Sequence, residues 1–211
     1  MYKLLAILAL VYCPWAVRGQ TDWKFRKEEQ GIRVYTAHTD SSRIKSVKVE
    51  FSVQATPDQL IAFLLDIPEQ PTWIFNSKTA YIIKTLKPND IIFYSEVTLP
   101  WPFSNRDYVA HFTVSKRSEG MYLVESHAEP EYIPAKPPLV RMPYSSAKWN
   151  ITRAGDNELK IIYTFSFDPG GAVPPWLVNM FVTKGPIHTF QKLREGVRRP
   201  EYRDAHLSFL K

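Results

Sequence analysis

Cysteine is almost absent from this chain of 211 residues, which has only Cys13. A single cysteine excludes an internal disulfide. The five histidines show no spacing typical of a metal site, and neither a nucleophile-elbow motif nor a carboxylate pair suited to acid–base work is present. The 27 basic residues only modestly outnumber the 21 acidic ones and form no dense block. We therefore expect no nucleic-acid partner, no cofactor and no catalytic activity.

The N-terminus is typical of an export signal. Lys3 precedes the apolar run Leu4–Val11, and the short residues Val17 and Gly19 favour cleavage before Gln20. This run is too short to span a membrane comfortably. The pattern predicts a cleavable signal peptide over residues 1–19, a mature domain over 20–211, and a secreted or periplasmic protein. An uncleaved N-terminal anchor is the alternative.

Large aromatic side chains are abundant, with 11 Tyr, 12 Phe and 6 Trp. Such residues suit a wide sheet or the wall of a ligand cavity. Alternation of apolar and polar residues predicts many strands, and turn residues between several of them favour antiparallel pairing. The predicted strands lie at about 47–54, 80–87, 91–98, 106–116, 120–127, 146–153 and 158–167.

Three segments are predicted to be helical. The first is a short amphipathic helix over about 21–30, and the second begins after Thr56, where Gln59 completes a capping box. The third runs over about 174–196, with a bend at Gly185-Pro186 because proline removes a helical hydrogen bond and crowds the preceding turn. Helices on one face of an antiparallel sheet define an α+β architecture. A sheet of this size curls, which leaves space between it and a long helix.

Three stretches resemble the START, or StAR-related lipid-transfer, domain family. They are PWPFSNRDYV from residue 100, SSAKWNI from residue 145, and DPGGAVPPWLVNMFVTKGPIHTFQKLR from residue 168. The resemblance implies a helix-grip fold, in which a curved sheet wraps a long C-terminal helix around a hydrophobic cavity. It also implies binding or transfer of a lipid or other apolar molecule rather than catalysis. An enzyme of the cyclase or hydrolase type and a small-molecule sensor are the alternatives, because the wider fold group uses the same kind of pocket.

Arg106 raises a question, because it shares the apolar face of its strand with Tyr108 and Phe112. If Thr98 lies opposite Arg106 in a hairpin, Glu96 joins that face as a diagonal neighbour of Arg106. A charge pair on an apolar face is costly unless it has partners. The pair either meets a ligand headgroup or hydroxyl in the cavity, or only pins the hairpin. The strand residues predicted to bind ligand are Tyr94, Glu96, Arg106, Tyr108, Phe112, Trp149 and Tyr163.

The last predicted helix has an apolar stripe at helical spacing. From this stripe we predict that Met180, Thr183 and Ile187 line the cavity with the sheet. Trp101 and Phe103 lie in the loop before Arg106 and are predicted to make transient contact with a membrane interface. Alternatively, these two residues only cover the opening of the cavity.

Overall fold

A computed structural model describes residues 22–38 and 45–210 of the protein. One sheet dominates the described part of the chain. Its neighbouring strands are antiparallel and follow the order β1-β2-β3-β10-β9-β7-β6-β5-β4. The short strand β8 pairs with β6 in parallel. The strands are β1 (Lys24–Glu29), β2 (Ile32–His38), β3 (Lys45–Gln54), β4 (Ser77–Lys87), β5 (Asp90–Val97), β6 (Arg106–Ser118), β7 (Met121–Ala128), β8 (Val140–Arg141), β9 (Tyr144–Gly155) and β10 (Glu158–Asp168).

Helices cover one face of this sheet. They are α1 (Pro57–Leu65), α2 (Gln70–Trp73), α3 (Pro175–Asn179), α4 (Gly185–Gly196) and α5 (Pro200–Arg203), with 3-10 turns at Ile67–Glu69 and Ser208–Leu210 and a π-helical turn at Met180–Lys184. The curved sheet and the long C-terminal helix confirm the predicted α+β helix-grip fold. The signal peptide predicted over residues 1–19 lies outside the described residues.

The beginning of α1 forms as the sequence predicts. The hydroxyl of Thr56 accepts a hydrogen bond from the Gln59 backbone N–H at 3.2 Å, and the Gln59 side chain accepts one from the Thr56 backbone N–H at 3.4 Å. This capping box satisfies two N–H groups that a helix start otherwise leaves unpaired. The Gln59 amide also donates to the Val197 carbonyl at 2.7 Å, which ties α1 to the end of α4.

The amphipathic helix predicted over about 21–30 is wrong, because this segment contains β1. Gln30 and Gly31 both have positive φ, at 51° and 71°, and they join β1 to β2 as a tight hairpin turn. Two central residues with positive φ match the twist of antiparallel strands. Pairing with the edge of the sheet therefore overrides a local pattern that is compatible with a helix.

The C-terminal helix is continuous but changes its winding before Gly185-Pro186. The Gly185 N–H bonds to the Met180 carbonyl, which is the i to i−5 spacing of a π-helical turn. Pro186 has no N–H and its ring crowds the preceding turn, so a wider turn accommodates it. The irregularity therefore lies directly before the residues predicted to bend the helix, and it takes the form of a turn with one additional residue.

Aromatic contacts hold the helix against the sheet. The Phe190 ring lies 4.4 Å from that of Phe51, 5.2 Å from that of Tyr163 and 5.6 Å from that of Trp149, measured between ring centroids. Aromatic pairs at such distances add stabilisation beyond the area that they bury. The core is therefore continuous from β3 through β10 and β9 to α4.

Candidate functional site

A cavity lies between the concave face of the sheet and the helices. About 210 Å³ of it is open to the centres of water molecules, far more than the roughly 10–15 Å³ that one water requires. Its wall is mainly apolar and rich in aromatic rings. The sheet contributes, among others, Phe93, Tyr108, Phe112, Trp149, Tyr163, Phe165 and Phe167, and the helices contribute Trp73, Leu177, Val178, Phe181, Pro186 and Phe190.

Five of the residues predicted to bind ligand line this cavity. They are Arg106, Tyr108, Phe112, Trp149 and Tyr163. All five point inward because the alternation of β6, β9 and β10 places them on the concave face. Burial raises the pKa of Tyr163, with a smaller contribution from the neighbouring Tyr108. The phenol of Tyr163 is therefore neutral at physiological pH and can act as a hydrogen-bonding group in an otherwise apolar wall.

Among the residues that the structure describes, Arg106 is the one charged residue that lines the cavity, and only 5% of its surface is exposed. Its guanidinium donates to three backbone carbonyls, those of Ser104 at 2.5 Å, Gly170 at 3.1 Å and Pro169 at 3.2 Å. Ser104 belongs to the β5–β6 loop, whereas Pro169 and Gly170 follow β10. One side chain thus joins two segments that border the cavity. Burial lowers the pKa of Arg106, but arginine remains charged at ordinary pH.

The predicted contact between Arg106 and Glu96 is wrong. Val97 lies opposite Arg106 and Glu96 opposite Asp107, one residue away from the register assumed from the sequence. Because side chains alternate along a strand, a shift of one residue moves every side chain to the other face. Glu96 therefore lies on the outer face, where its carboxylate accepts hydrogen bonds from Lys78 at 2.9 Å and from Asn105 at 2.8 Å.

The environment of Glu96 determines its ionisation. Burial by itself raises the pKa of this carboxyl, but the hydrogen bonds from Lys78 and Asn105 outweigh burial and leave the pKa below its usual value. Glu96 is thus a paired carboxylate that supports the hairpin. It does not line the cavity.

Tyr94 also lies on the outer face, contrary to its predicted place in the cavity. Its ring stacks on that of Tyr81 with 4.9 Å between centroids, and the Lys136 ammonium lies 3.9 Å from the Tyr94 ring centroid. The same one-residue difference in register moves Tyr94 outward. Phe93, which was not among the residues predicted to bind ligand, takes the inward position.

The three helix residues predicted to line the cavity, Met180, Thr183 and Ile187, are absent from its wall. Ile187 packs in the core, and the Thr183 hydroxyl donates to the Asn179 carbonyl. The prediction extended a stripe of constant helical period through the segment, whereas the π-helical turn changes that period. The inward positions are instead Leu177, Val178, Phe181, Gly185, Pro186, Thr189 and Phe190.

The remaining wall residues differ in how much signal they carry in the sequence. Gln70 and Trp73 line the cavity because α2 packs between β4 and α4. Sequence patterns cannot place a helix of four residues against a particular face. The inward aromatic residues Phe165 and Phe167 were detectable, because they continue the alternation that placed Tyr163 on the same face.

The outer side of β6 holds a buried ion pair. Asp107 accepts two hydrogen bonds from Arg141, at 2.9 Å to Nε and 3.0 Å to Nη2. Arg141 also donates to the carbonyls of Pro130 and Ile133, at 2.6 and 3.1 Å. The pair therefore fixes the proline-rich connection between β7 and β8 against the sheet.

Exposed aromatic residues lie beside the cavity. Trp101 is 93% exposed and Trp176 is 56% exposed. The rings of Phe103 and Trp176 meet edge to face with 6.2 Å between centroids, so the β5–β6 loop contacts the start of α3. We call this area, formed by Trp101, Phe103 and Trp176, the aromatic rim.

Residues 22–38 and 45–210 contain neither a metal-binding cluster nor a helix suited to span a membrane. No group of three or more His, Cys, Asp or Glu residues is arranged to hold a metal ion there. Among the described helices, none has the length and apolar character needed to cross a membrane.

Comparison with known proteins identifies the family. The model of the START domain matches residues 16–203, so the chain belongs to the START domain family. The phosphatidylcholine transfer protein of Bos taurus is 28% identical over 173 residues, covering 77% of this chain and 78% of that protein. The crystal structure of a STAR-related lipid transfer protein fragment from Xanthomonas axonopodis is 29% identical, with a TM-score of 0.76 over 84% of this chain and 99% of that one.

Enzymes share the fold at a greater distance. An aromatase/cyclase from a Streptomyces species has a TM-score of 0.56 and 10% identity, covering 74% of this chain and 94% of that one. This likeness shows the fold alone. The phosphatidylcholine transfer proteins, in contrast, match this chain by sequence.

Proposed function

We propose that the protein binds one lipid-like molecule in the cavity under the sheet and transfers it between membranes. The observation that supports this proposal is the apolar, aromatic-lined cavity in a chain of the START family. The named relatives include phosphatidylcholine transfer proteins and a STAR-related lipid transfer protein.

The energetics of an acyl chain suit such a cavity. Each methylene exposed to water costs about 0.8 kcal/mol, so a chain of about sixteen carbons requires shielding worth on the order of 12 kcal/mol. The inward rings of Trp149, Tyr163 and Phe165 offer apolar surface for this purpose. Enclosure by the sheet and α4 keeps the chain away from water during transfer.

Extraction of the purified protein tests this function. Protein isolated from its native host without detergent is extracted with organic solvent, and the extract is analysed by mass spectrometry. We expect one lipid per protein, recovered chemically unchanged. A second assay follows transfer of labelled lipid between donor and acceptor vesicles. Protein that retains no lipid, takes up none from vesicles and instead converts a cyclic substrate would favour the enzymatic alternative.

We also propose that the aromatic rim contacts the membrane during exchange. Tryptophan suits the boundary between headgroups and acyl chains, and Trp101 projects almost completely into solvent. Changing Trp101 to Ser should reduce vesicle binding and transfer rate without changing the affinity for a bound lipid. Tyr132→Ser is the control, since it removes another exposed aromatic ring outside the rim. Equal transfer rates for the two variants would refute membrane contact by Trp101.

Export remains a separate proposal. We propose that residues 1–19 are removed and that the mature protein works in a secreted or periplasmic setting. N-terminal sequencing of protein from the native host should find a start near Gln20. Protein that retains Met1 would contradict cleavage.

A further inference from the structure

Arg106 is a buried cation to which the described carboxylates offer no partner. Asp107, the next residue, is bonded to Arg141 on the other face of the sheet. Asp168 precedes the carbonyls that Arg106 contacts, but its Oδ1 accepts the Gly170 backbone N–H at 2.9 Å. Buried arginines are rarely found without a counter-charge, because carbonyl dipoles compensate a full charge only in part.

The guanidinium has donors left for a further partner. Arginine carries five N–H groups, and three of the Arg106 groups are used, one on each nitrogen. Nη1 and Nη2 therefore each keep one N–H. A planar pair of donors of this kind matches the two oxygens of a carboxylate or phosphate.

The remainder of the wall is not suited to an anion. Within residues 22–38 and 45–210, the other lining side chains include no lysine, histidine or second arginine, and most are aromatic or aliphatic. A negative group in the described part of this cavity would therefore have one charged partner, Arg106, which lies beside Pro169 of the wall. The acyl chain would then extend between the sheet and α4.

We propose that Arg106 recognises an anionic group, a carboxylate or a phosphate, on the amphiphilic ligand. This inference rests on the proposed lipid-binding function and adds the charge of the ligand's polar end. It also explains why a strand begins with an arginine on its apolar face: the residue supplies the positive charge that selects the ligand. The carbonyl contacts to Ser104, Pro169 and Gly170 hold the guanidinium in place before the ligand arrives.

The test compares ligands that differ only in charge. Delipidated protein is titrated with hexadecanoate and 1-hexadecanol, and separately with phosphatidate and diacylglycerol of the same acyl chains. A hydrogen-bonded charge pair should favour the anionic member of one or both pairs by about 10–100-fold. Preference within the first pair indicates a carboxylate ligand, and preference within the second indicates a phosphate. Equal affinity within both pairs overturns the inference.

Variants assign the preference to Arg106. Arg106→Gln should reduce the preference to within about 3-fold, and Arg106→Lys, which keeps the charge, should retain part of it. Arg194→Gln is the matched control, because Arg194 also donates to two carbonyls, those of Ser52 and Gln30, but lies outside the cavity wall. A folded Arg106→Gln protein with the original preference overturns the inference.

The ligand titrations also separate this inference from the function on which it rests. Binding of all four probes without regard to charge leaves the proposed lipid binding intact and overturns only the role of Arg106. Binding of none overturns lipid binding, and the inference with it. If the Arg106→Gln protein does not fold, the affinities of the unaltered protein for the two ligand pairs still show whether the cavity prefers an anionic ligand.

Discussion

Filling the cavity from Ala147 is the sharpest test of where the ligand lies. Ala147 is an inward residue of β9 and lines the cavity between Ser126 of β7 and Phe165 of β10. Its methyl group leaves room in front of the sheet. Ala147→Phe would place a phenyl ring in the space where we expect the acyl chain.

The magnitude follows from the apolar surface that the ring displaces. A phenyl ring takes the place of about four methylenes of ligand, and at about 0.8 kcal/mol each the loss of binding free energy is about 3 kcal/mol. That loss corresponds to a dissociation constant that is roughly 150-fold larger. The free energy of unfolding should fall little, because the ring enters a cavity rather than a filled core.

Fluorescent fatty-acid displacement and urea unfolding measure the two quantities in parallel. Thr152→Phe is the control, since Thr152 lies on the exposed outer face of the same strand. It should leave the dissociation constant unchanged. A folded Ala147→Phe protein that binds the probe as tightly as the original would refute ligand binding in this cavity.

Three further predictions concern the framework around the cavity. Gly196→Ala would bring a Cβ to 2.7 Å from the Phe63 ring, so it should lower the free energy of unfolding by about 1–3 kcal/mol; an unchanged urea midpoint would contradict this packing. Asp107→Asn breaks the buried pair with Arg141 and should cost about 3–5 kcal/mol in the same assay, whereas a loss below about 1 kcal/mol would contradict it. The fold lowers the pKa of Glu96, so the ionised Glu96 stabilises the folded state. This stabilisation is fully present above the unfolded pKa of about 4.3 and is lost as the pH falls through the lower pKa of the folded state. Glu96→Gln should therefore weaken the loss of stability in acid, and an unchanged acid profile would show that the ion pair with Lys78 contributes nothing.

Local patterns in the sequence determined most of the elements and the family. The alternation in β6 and β10 predicted which faces are apolar, and the capping box at Thr56 located the start of α1. The glycine pair, the prolines and the tryptophan near residues 168–176 supported the START resemblance, which the family model confirmed. These features depend on residues close together in the chain, so their physical causes can be read without the fold.

Tertiary structure decided which side chains face the cavity. The register between β5 and β6 depends on how the intervening loop closes, and one residue of difference moved Glu96 and Tyr94 outward and Phe93 inward. The π-helical turn before Pro186 likewise replaced one helix stripe by another. The surroundings of Arg106 are non-local as well, since its carbonyl partners Pro169 and Gly170 are more than sixty residues away in the chain. Register, helix winding and long-range closure arise from contacts between segments, and no pattern within a single segment encodes them.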